Sequence, residues 1–253
     1  MSDEELLSSI EKLLRLGSEA SSEEIESNAL EYIQTQEHFL PNRFLHHKNT
    51  NKKAIFMAGG SGAGKSETAL TISKNEKIDI VDTDDIRKIC PLYSGKNSHL
   101  FQKASSKGVS ILMNHILKNN LSFILNGNFT EYPIQKENIE RALNREYDIE
   151  IIFVYRDKNV AKNYTKLREI IEGRVIPDDV FEAKYTESIK TTKQILNEFE
   201  NISFRFFDLS SMEIVKNQEG VDRLLKLHGT LDNKILIENA ETVQSFTAVT
   251  DSH

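Results

Sequence analysis

The sequence has only one cysteine, no long apolar run and no excess of basic charge, and each of these shortages excludes a class of protein. The single cysteine, Cys90, excludes an intramolecular disulfide and any multi-cysteine metal site, which is typical of a protein in a reducing compartment. No stretch approaches the roughly 18 consecutive apolar residues that a membrane span needs, and the first residues are acidic, unlike a secretory signal. We therefore expect a cytoplasmic protein without a membrane partner.

The acidic charge is concentrated near the N-terminus. The 253 residues carry a formal net charge of -7, and the first 50 residues hold ten acids against four bases. The rest of the chain is therefore almost neutral and lacks the basic surface with which proteins bind duplexes, so nucleic acid is an unlikely partner. Hydrophobic residues make up 38% of the chain, which is enough for a folded core.

Two different apolar patterns divide the chain. Helical spacing predicts helices over residues 3–15 and 21–36, so we expect an N-terminal helical extension over residues 1–50, with Pro41 and residues 46–51 as a connector. From residue 52 onward, short apolar runs alternate with helical periods, which predicts a doubly wound parallel α/β sheet flanked by helices over residues 51–229. The predicted strands are 54–58, 78–81, 122–125, 149–155 and 202–207, and the predicted helices are 64–74, 100–117, 134–145, 159–172, 178–199 and 212–227. Residues 230–253 are weakly patterned and form a C-terminal tail.

The strongest motif is a glycine-rich loop that follows the first predicted strand and opens a helix. It satisfies G-x-x-x-x-G-K-[ST], the phosphate-binding loop or P-loop, in which backbone N–H groups and a helix N-terminus surround phosphate oxygens. Lys65 is expected to reach the β- and γ-phosphates of a nucleotide, and the Ser66 hydroxyl to bind Mg²⁺. The expected ATP-binding residues are Gly59, Gly60, Ser61, Gly62, Ala63, Gly64, Lys65, Ser66 and Glu67.

An acidic cluster follows the second predicted strand. It lies at the carboxyl end of that strand, which is where doubly wound folds bind their ligands. Phosphoryl transfer to a hydroxyl needs a carboxylate that accepts the proton and acids that hold the metal. We assign Asp84 as the base and Asp82 to the metal. The alternative is structural, with Thr83 or Asp84 as the N-cap of the next helix. Arg87 either holds a substrate anion or pairs with an aspartate.

A basic segment spans residues 156–174. Most of its cations, Arg156 among them, are expected to form a solvated helical face. Arg168 and Arg174 flank a predicted helix stop at Gly173, so they could fold over a nucleotide and neutralise charge on the transferring phosphoryl group.

The motifs together resemble the zeta toxin family of P-loop kinases. The resemblance is carried by FMAGGSGAGKSE, VDTDDIR, FILNGNF and YTKLREIIEGRVIPDDVF, in this order, over roughly residues 52–200. It implies a small phosphotransferase that uses ATP and Mg²⁺ to phosphorylate a sugar hydroxyl of UDP-N-acetylglucosamine, held inactive by a cognate antitoxin. It assigns Lys65 and Ser66 to ATP and Mg²⁺, Asp84 to the base, and Arg168 and Arg174 to a phosphate clamp.

The sequence departs from the family pattern after the third predicted strand. The family commonly has an acid there, whereas this chain has Asn126-Gly127-Asn128, and Thr130 lies near the place of a family arginine. We expect Arg87, Asn126, Asn128 and Thr130 to contact the acceptor. The departure leaves two alternatives: a kinase for another nucleotide or dinucleotide acceptor, and a nucleotide-binding regulator with weak catalysis.

Overall fold

The computed structural model describes residues 7–8, 20–173 and 175–227. In chain order, the elements are α1 Ser22–Thr35, α2 Leu40–Phe44, β1 Lys53–Ala58, α3 Lys65–Glu76, β2 Asp79–Asp82, α4 Thr83–Lys88, a 3₁₀ turn Ser98–Phe101, α5 Gln102–Lys118, β3 Phe123–Asn126, α6 Tyr132–Leu143, β4 Asp148–Tyr155, α7 Lys158–Glu172, α8 Asp178–Glu198, β5 Ser203–Asp208 and β6 Glu213–Lys216. Residues 217–227 are helical. The helix predicted over residues 3–15 lies outside the described residues except at 7–8, which are helical.

The strands form one sheet in the order β2-β3-β1-β4-β5-β6, flanked by helices. The pairs from β2 to β5 are parallel, which confirms the doubly wound arrangement predicted from the apolar runs. The sheet also has a sixth strand that was not predicted, β6, which pairs antiparallel with β5 at one edge. The helix predicted over 212–227 therefore begins with a strand; β6 is short and largely exposed, so it has no apolar period to reveal it.

The central strand β1 is buried on both faces of the sheet. Phe56 and Ala58 belong to the larger hydrophobic cluster, whereas Ile55 and Met57 belong to a second cluster on the opposite face. This is the alternation expected when a parallel strand is covered by helices on both sides. Because β1, β2 and β3 run parallel, their carboxyl ends lie on the same side of the sheet.

The N-terminal helices pack into the same core. Ala29, Ile33 and Leu40 are buried members of the larger cluster, and α1 packs along α5, where Lys103 forms an ion pair with Glu26 at 2.6 Å. Pro41, predicted as part of a connector, instead lies in the first turn of α2, where its missing N–H is not needed.

The connector after α2 is tied to the start of β2. The backbone N–H groups of His46 and His47 donate to one carboxylate oxygen of Asp79, at 3.0 and 2.9 Å. Asp79 is buried, so these two bonds satisfy a charge that would otherwise be costly in the interior. They fix the path of the chain from the N-terminal helices to the sheet.

We expect Cys90 to be unreactive in the native protein. The thiol is buried, and burial raises its pKa to about 11, so little thiolate exists near neutral pH. Labelling with a thiol reagent should be slow at pH 8 and should accelerate as the pH rises, whereas the denatured chain should react at once. Rapid labelling of native protein at pH 8 would contradict this expectation.

Within the described residues, no helix is both long enough and apolar enough to cross a membrane.

Candidate active site

The P-loop connects β1 to α3, and its glycines are required by close backbone contacts. Gly59 has φ 129°, and a Cβ there would lie 2.2 Å from the carbonyl oxygen of Val154. Gly62 has φ 73°, and a Cβ there would lie 2.2 Å from the carbonyl oxygen of Ala161. Any larger residue at these positions would push the loop away from β4 or α7. The loop is therefore held between two elements, with the N-terminus of α3 at its end.

Lys65 lies inside this loop. Its ammonium donates to the carbonyl oxygens of Gly59 and Gly60, at 2.9 and 2.6 Å. Burial lowers its pKa to about 7, and the charges of Arg168 and Lys184 act in the same direction, against the opposing effect of Asp82 and Asp84. A buried cation at a helix N-terminus favours an anion, so this is where a phosphate group would be stabilised.

Helix α8 supports the loop from behind, which the sequence analysis did not anticipate. The N–H of Gly59 donates to the hydroxyl of Ser188 at 2.8 Å, and the ring of Tyr185 packs against Gly60. Ser188 is fully buried. The signal was present in the sequence, because Ser188 interrupts an otherwise apolar face with Phe181 and Tyr185 at helical spacing.

Replacing Ser188 by alanine is expected to lower the free energy of unfolding by about 1–3 kcal/mol, because the buried N–H of Gly59 loses its acceptor. Denaturant unfolding measures this change. Thr192→Ala is the matched control: the Thr192 hydroxyl donates to the carbonyl of Ser188 within the same helix, so its loss leaves the loop untouched. Equal stability losses in both variants would argue against a specific role of Ser188.

A polar bridge joins the P-loop to the ends of β2 and β3. The β2–β3 register places Asp82 directly opposite Asn126. The Asn126 amide nitrogen donates to Asp82 at 2.6 Å and to the Ser66 hydroxyl at 3.2 Å. Asn126, predicted to contact the acceptor, is thus hydrogen-bonded to the two residues predicted to hold the metal. Its buried amide oxygen has no hydrogen-bond partner among the described residues.

Asp82 also begins helix α4. Its carboxylate accepts from the N–H of Asp84 at 2.7 Å, so Asp82 is the N-cap, and the alternative that placed the cap at Thr83 or Asp84 is wrong. Burial and the neighbouring charge of Asp84 raise the pKa of Asp82 to about 6. A cation next to this carboxylate would offset the cost of its buried charge.

Asp84 projects from the first turn of α4 and pairs with Arg87. The guanidinium of Arg87 donates to the Asp84 carboxylate at 2.5 Å and to the side-chain oxygen of Gln102 on α5. Of the two alternatives for Arg87, the structure therefore shows the pair with an aspartate. Arg87 is buried whereas Asp84 is about one-third exposed, so the carboxylate is oriented and still accessible.

Helix α7 closes the site from the other side. Arg168 forms an ion pair with Glu67 on α3 at 3.0 Å. Arg156, expected on a solvated face, is half-buried, and its guanidinium lies 4.3 Å from the centre of the Tyr164 ring and beside Gly64. Arg174, the second predicted clamp residue, lies outside the described residues.

These elements enclose a cavity of about 570 Å³. Of the predicted site residues, it is lined by Ser61, Gly62, Lys65, Ser66, Asp82, Asp84, Arg87, Asn126, Asn128, Thr130 and Arg168. Gln102 and Lys184 also line it, although the sequence analysis had not selected them. Lys65 on α3 and Asp84 on α4 thus line the same cavity.

Known proteins provide an independent comparison. No curated protein matches the chain. The toxin of the PezAT toxin–antitoxin system of Streptococcus pneumoniae matches with a TM-score of 0.59 and 17% identity, over 76% of this chain and 82% of that one. A structure of AvrRxo1-ORF1:-ORF2 with ATP matches with a TM-score of 0.55 and 12% identity, over 82% of this chain and 71% of that one. At these identities, the likeness shows a shared P-loop kinase-like fold.

The family comparison is more specific. The model of the family described as "Zeta toxin" matches residues 37–220, which is most of the chain and includes the P-loop, the acidic cluster and helix α7. The resemblance noted from the motifs alone is thereby confirmed: the chain belongs to the zeta toxin family.

Proposed function

We propose that the protein is a kinase that transfers the γ-phosphoryl group of ATP to a hydroxyl group of a nucleotide sugar such as UDP-N-acetylglucosamine. The observation that carries the proposal is that Lys65 and Asp84 line one cavity. A phosphate-binding lysine and an oriented carboxylate are the two groups that phosphoryl transfer to an alcohol requires. Membership of the zeta toxin family supports the same reaction.

Each side chain has a separate task in this reaction. The P-loop amides and Lys65 bind the phosphates of ATP, and Arg168, which lines the same cavity, neutralises charge on the transferring group. Asp84 accepts the proton of the acceptor hydroxyl while the oxygen–phosphorus bond forms and the bond to ADP breaks. Arg87, which also donates to Gln102, orients the Asp84 carboxylate, and Asp84 lines the cavity.

The donor set beside the P-loop fits Mg²⁺. The Ser66 hydroxyl and the Asp82 carboxylate are brought together by the amide nitrogen of Asn126, which donates to both, and the Asn126 amide oxygen is buried without a hydrogen-bond partner in the described part of the chain. Mg²⁺ prefers oxygen ligands and is commonly held by one or two carboxylates together with substrate phosphates. Ser66 and Asp82 would hold the ion, which supplies charge neutralisation to the phosphates when bound.

Asn126→Asp is expected to destabilise the protein in metal-free buffer and to make its stability depend on Mg²⁺. The substitution places a second carboxylate within hydrogen-bond distance of Asp82, and like charges so close are unfavourable. We expect the melting temperature in a chelator to fall by about 3–6 °C and to recover when Mg²⁺ is added. Asn128→Asp, which adds the same charge elsewhere in the cavity, is the control; an equal loss there would remove the basis for the effect.

The acceptor is tested directly by mass spectrometry. The protein is incubated with ATP, Mg²⁺ and UDP-N-acetylglucosamine, and a gain of one phosphoryl group is sought. A gain that appears only with another nucleotide or dinucleotide from a metabolite pool would replace the acceptor and keep the kinase. ATP binding by calorimetry without any phosphoryl transfer would instead favour a nucleotide-binding regulator.

The remaining expectations belong to the same proposal. We propose residues 51–229 as the kinase domain, preceded by the helical extension over 1–50 and followed by the tail 230–253, and a cytoplasmic location. A cognate antitoxin is a proposed partner, because the PezAT system with which the chain shares its fold is a toxin–antitoxin system. Co-expression with the product of an adjacent gene would test this partner.

A further inference from the structure

The cavity is lined by cations that come from three different helices. Lys65 belongs to α3, Arg168 to α7 and Lys184 to α8. Burial is the largest cause that lowers the pKa of Lys65, and the charges of Arg168 and Lys184 lower it further, whereas Asp82 and Asp84 oppose them. Like charges that act on one another are unfavourable until an anion binds among them. The cluster therefore favours an anion of high charge.

Helix α8 fixes the position of Lys184 next to the P-loop. The Ser188 hydroxyl accepts from the N–H of Gly59 at 2.8 Å, and the ring of Tyr185 packs against Gly60. Lys184 directly precedes Tyr185 and lies one helical turn before Ser188, so these two contacts set its place along the loop. Lys184 is half-buried and lines the cavity. An anchored helix thus carries this cation beside the phosphate-binding loop.

The same helix also contacts the segment between β3 and α6. The Thr191 hydroxyl on α8 donates to the carbonyl oxygen of Thr130 at 3.0 Å. Thr130 and Asn128 line the cavity and are expected to contact the acceptor. Helix α8 therefore touches both the loop proposed to bind the donor phosphates and the segment proposed to contact the acceptor. The phosphoryl group that passes between donor and acceptor is the anion that both contacts have in common.

We propose that Lys184 binds the γ-phosphoryl group of ATP and is a further catalytic residue of the kinase. This inference rests on the proposed function. The backbone amides of a P-loop surround the inner phosphates, and its lysine reaches the β- and γ-phosphates. Charge on the transferring group is stabilised by further cations placed around it. The Lys184 ammonium donates hydrogen bonds to the γ-phosphoryl oxygens and keeps its protons throughout the transfer.

This role makes Lys184 a determinant of triphosphate specificity. ADP has no γ-phosphoryl group, so after transfer Lys184 has no phosphate to bind on the nucleotide that remains. Lys65 reaches the β-phosphate as well, so it contributes to the binding of ATP and of ADP alike. The affinities for the two nucleotides therefore distinguish the tasks of the two lysines.

Nucleotide titration of Lys184→Met tests the inference. We expect this variant to bind a non-transferable ATP analogue at least about tenfold more weakly, because a charge-assisted hydrogen bond is lost, and to bind ADP within about twofold of the wild type. The kcat for phosphoryl transfer should fall by about 10²-fold. Lys184→Arg keeps the charge and should restore the preference for the ATP analogue over ADP.

Lys190→Met is the matched control on the same helix. Lys190 pairs with Glu187 at the surface at 3.1 Å, so its loss should change neither affinity nor kcat. Thermal unfolding verifies that each variant is folded, and Lys184→Gln replaces Lys184→Met if that variant is not.

Two results would overturn the role of Lys184. If Lys184 only repelled Lys65, its removal would relieve that repulsion and tighten the binding of both nucleotides. An equal weakening of both nucleotides in a folded variant would show that Lys184 supports the loop instead of binding the γ-phosphoryl group. A wild-type protein that binds the ATP analogue without transferring a phosphoryl group would contradict the proposed function, and the ratio of the two affinities would still decide whether Lys184 binds the γ-phosphoryl group.

Discussion

Asp84→Asn is expected to reduce kcat for phosphoryl transfer by about 10²–10⁴-fold, because asparagine cannot accept the proton of the acceptor hydroxyl. The substitution keeps the shape of the side chain and an oxygen to which Arg87 can still donate. The fold and the affinity for ATP should therefore change little. Steady-state kinetics together with a calorimetric titration of ATP separate the two effects.

Asp85→Asn is the matched control for this variant. Asp85 is the next residue on α4, but it points outward and pairs with Lys88 at the surface. Its loss should leave kcat within about twofold of the wild type, since exposed ion pairs contribute little. If Asp84→Asn retained the activity of the control, Asp84 would not be the base.

Lys65→Met is expected to reduce kcat/KM for ATP by about 10³-fold or more, because it removes the buried cation that faces the phosphates. The substitution keeps the apolar stem of the side chain, and burial already makes the charged form of Lys65 costly, since its pKa is lowered to about 7. We therefore expect Lys65→Met to be at least as stable as the wild type, while nucleotide binding and turnover collapse. Thermal unfolding measures the first effect, and ATP titration with kinetics the second.

The control for Lys65 is Lys77→Met, at the other end of the same helix. Lys77 is the C-cap of α3, so its substitution removes a positive charge from that helix far from the loop. Its activity should match the wild type. Wild-type affinity for ATP in Lys65→Met would refute the assignment of the loop as the phosphate site.

The sheet could be predicted because its strands are buried on both faces. Runs such as Ala54–Ala58 have no polar interruption, and a helical period follows each run. The alternation of strands and helices along the chain could therefore be predicted. β6 could not be predicted, because an exposed edge strand of four residues is stabilised by pairing with β5 rather than by its own apolar pattern. Pro41 was predicted in a connector but lies in α2, because proline is common in the first turn of a helix as well as in connectors.

Part of the candidate site could also be predicted from the sequence. Lys65 and Ser66 could be predicted as site residues because they belong to one motif with a fixed spacing. Asp82 and Asn126 could be predicted to lie close together because the carboxyl ends of neighbouring parallel strands lie on the same side of the sheet. Ser188 accepts a hydrogen bond from Gly59, 129 residues away, and Gln102 accepts one from Arg87 on another helix. Arg156 stacks on the ring of Tyr164. Local spacing marks Ser188 only as a polar residue on an apolar helix face, and its partner Gly59 follows only from the tertiary structure.

The hydrogen bonds from the connector to Asp79 couple the local unfolding of β2 to that of the N-terminal helices. β2 has only four residues, with Asp79 anchored to the connector at its first position and Asp82 beside the P-loop at its last. So short an edge strand has little stability of its own and should exchange its amide hydrogens together with the helices that precede it, as one cooperative unit. Local unfolding that starts at the N-terminal helices would then disassemble the proposed metal site at Asp82 while the central strands stay folded.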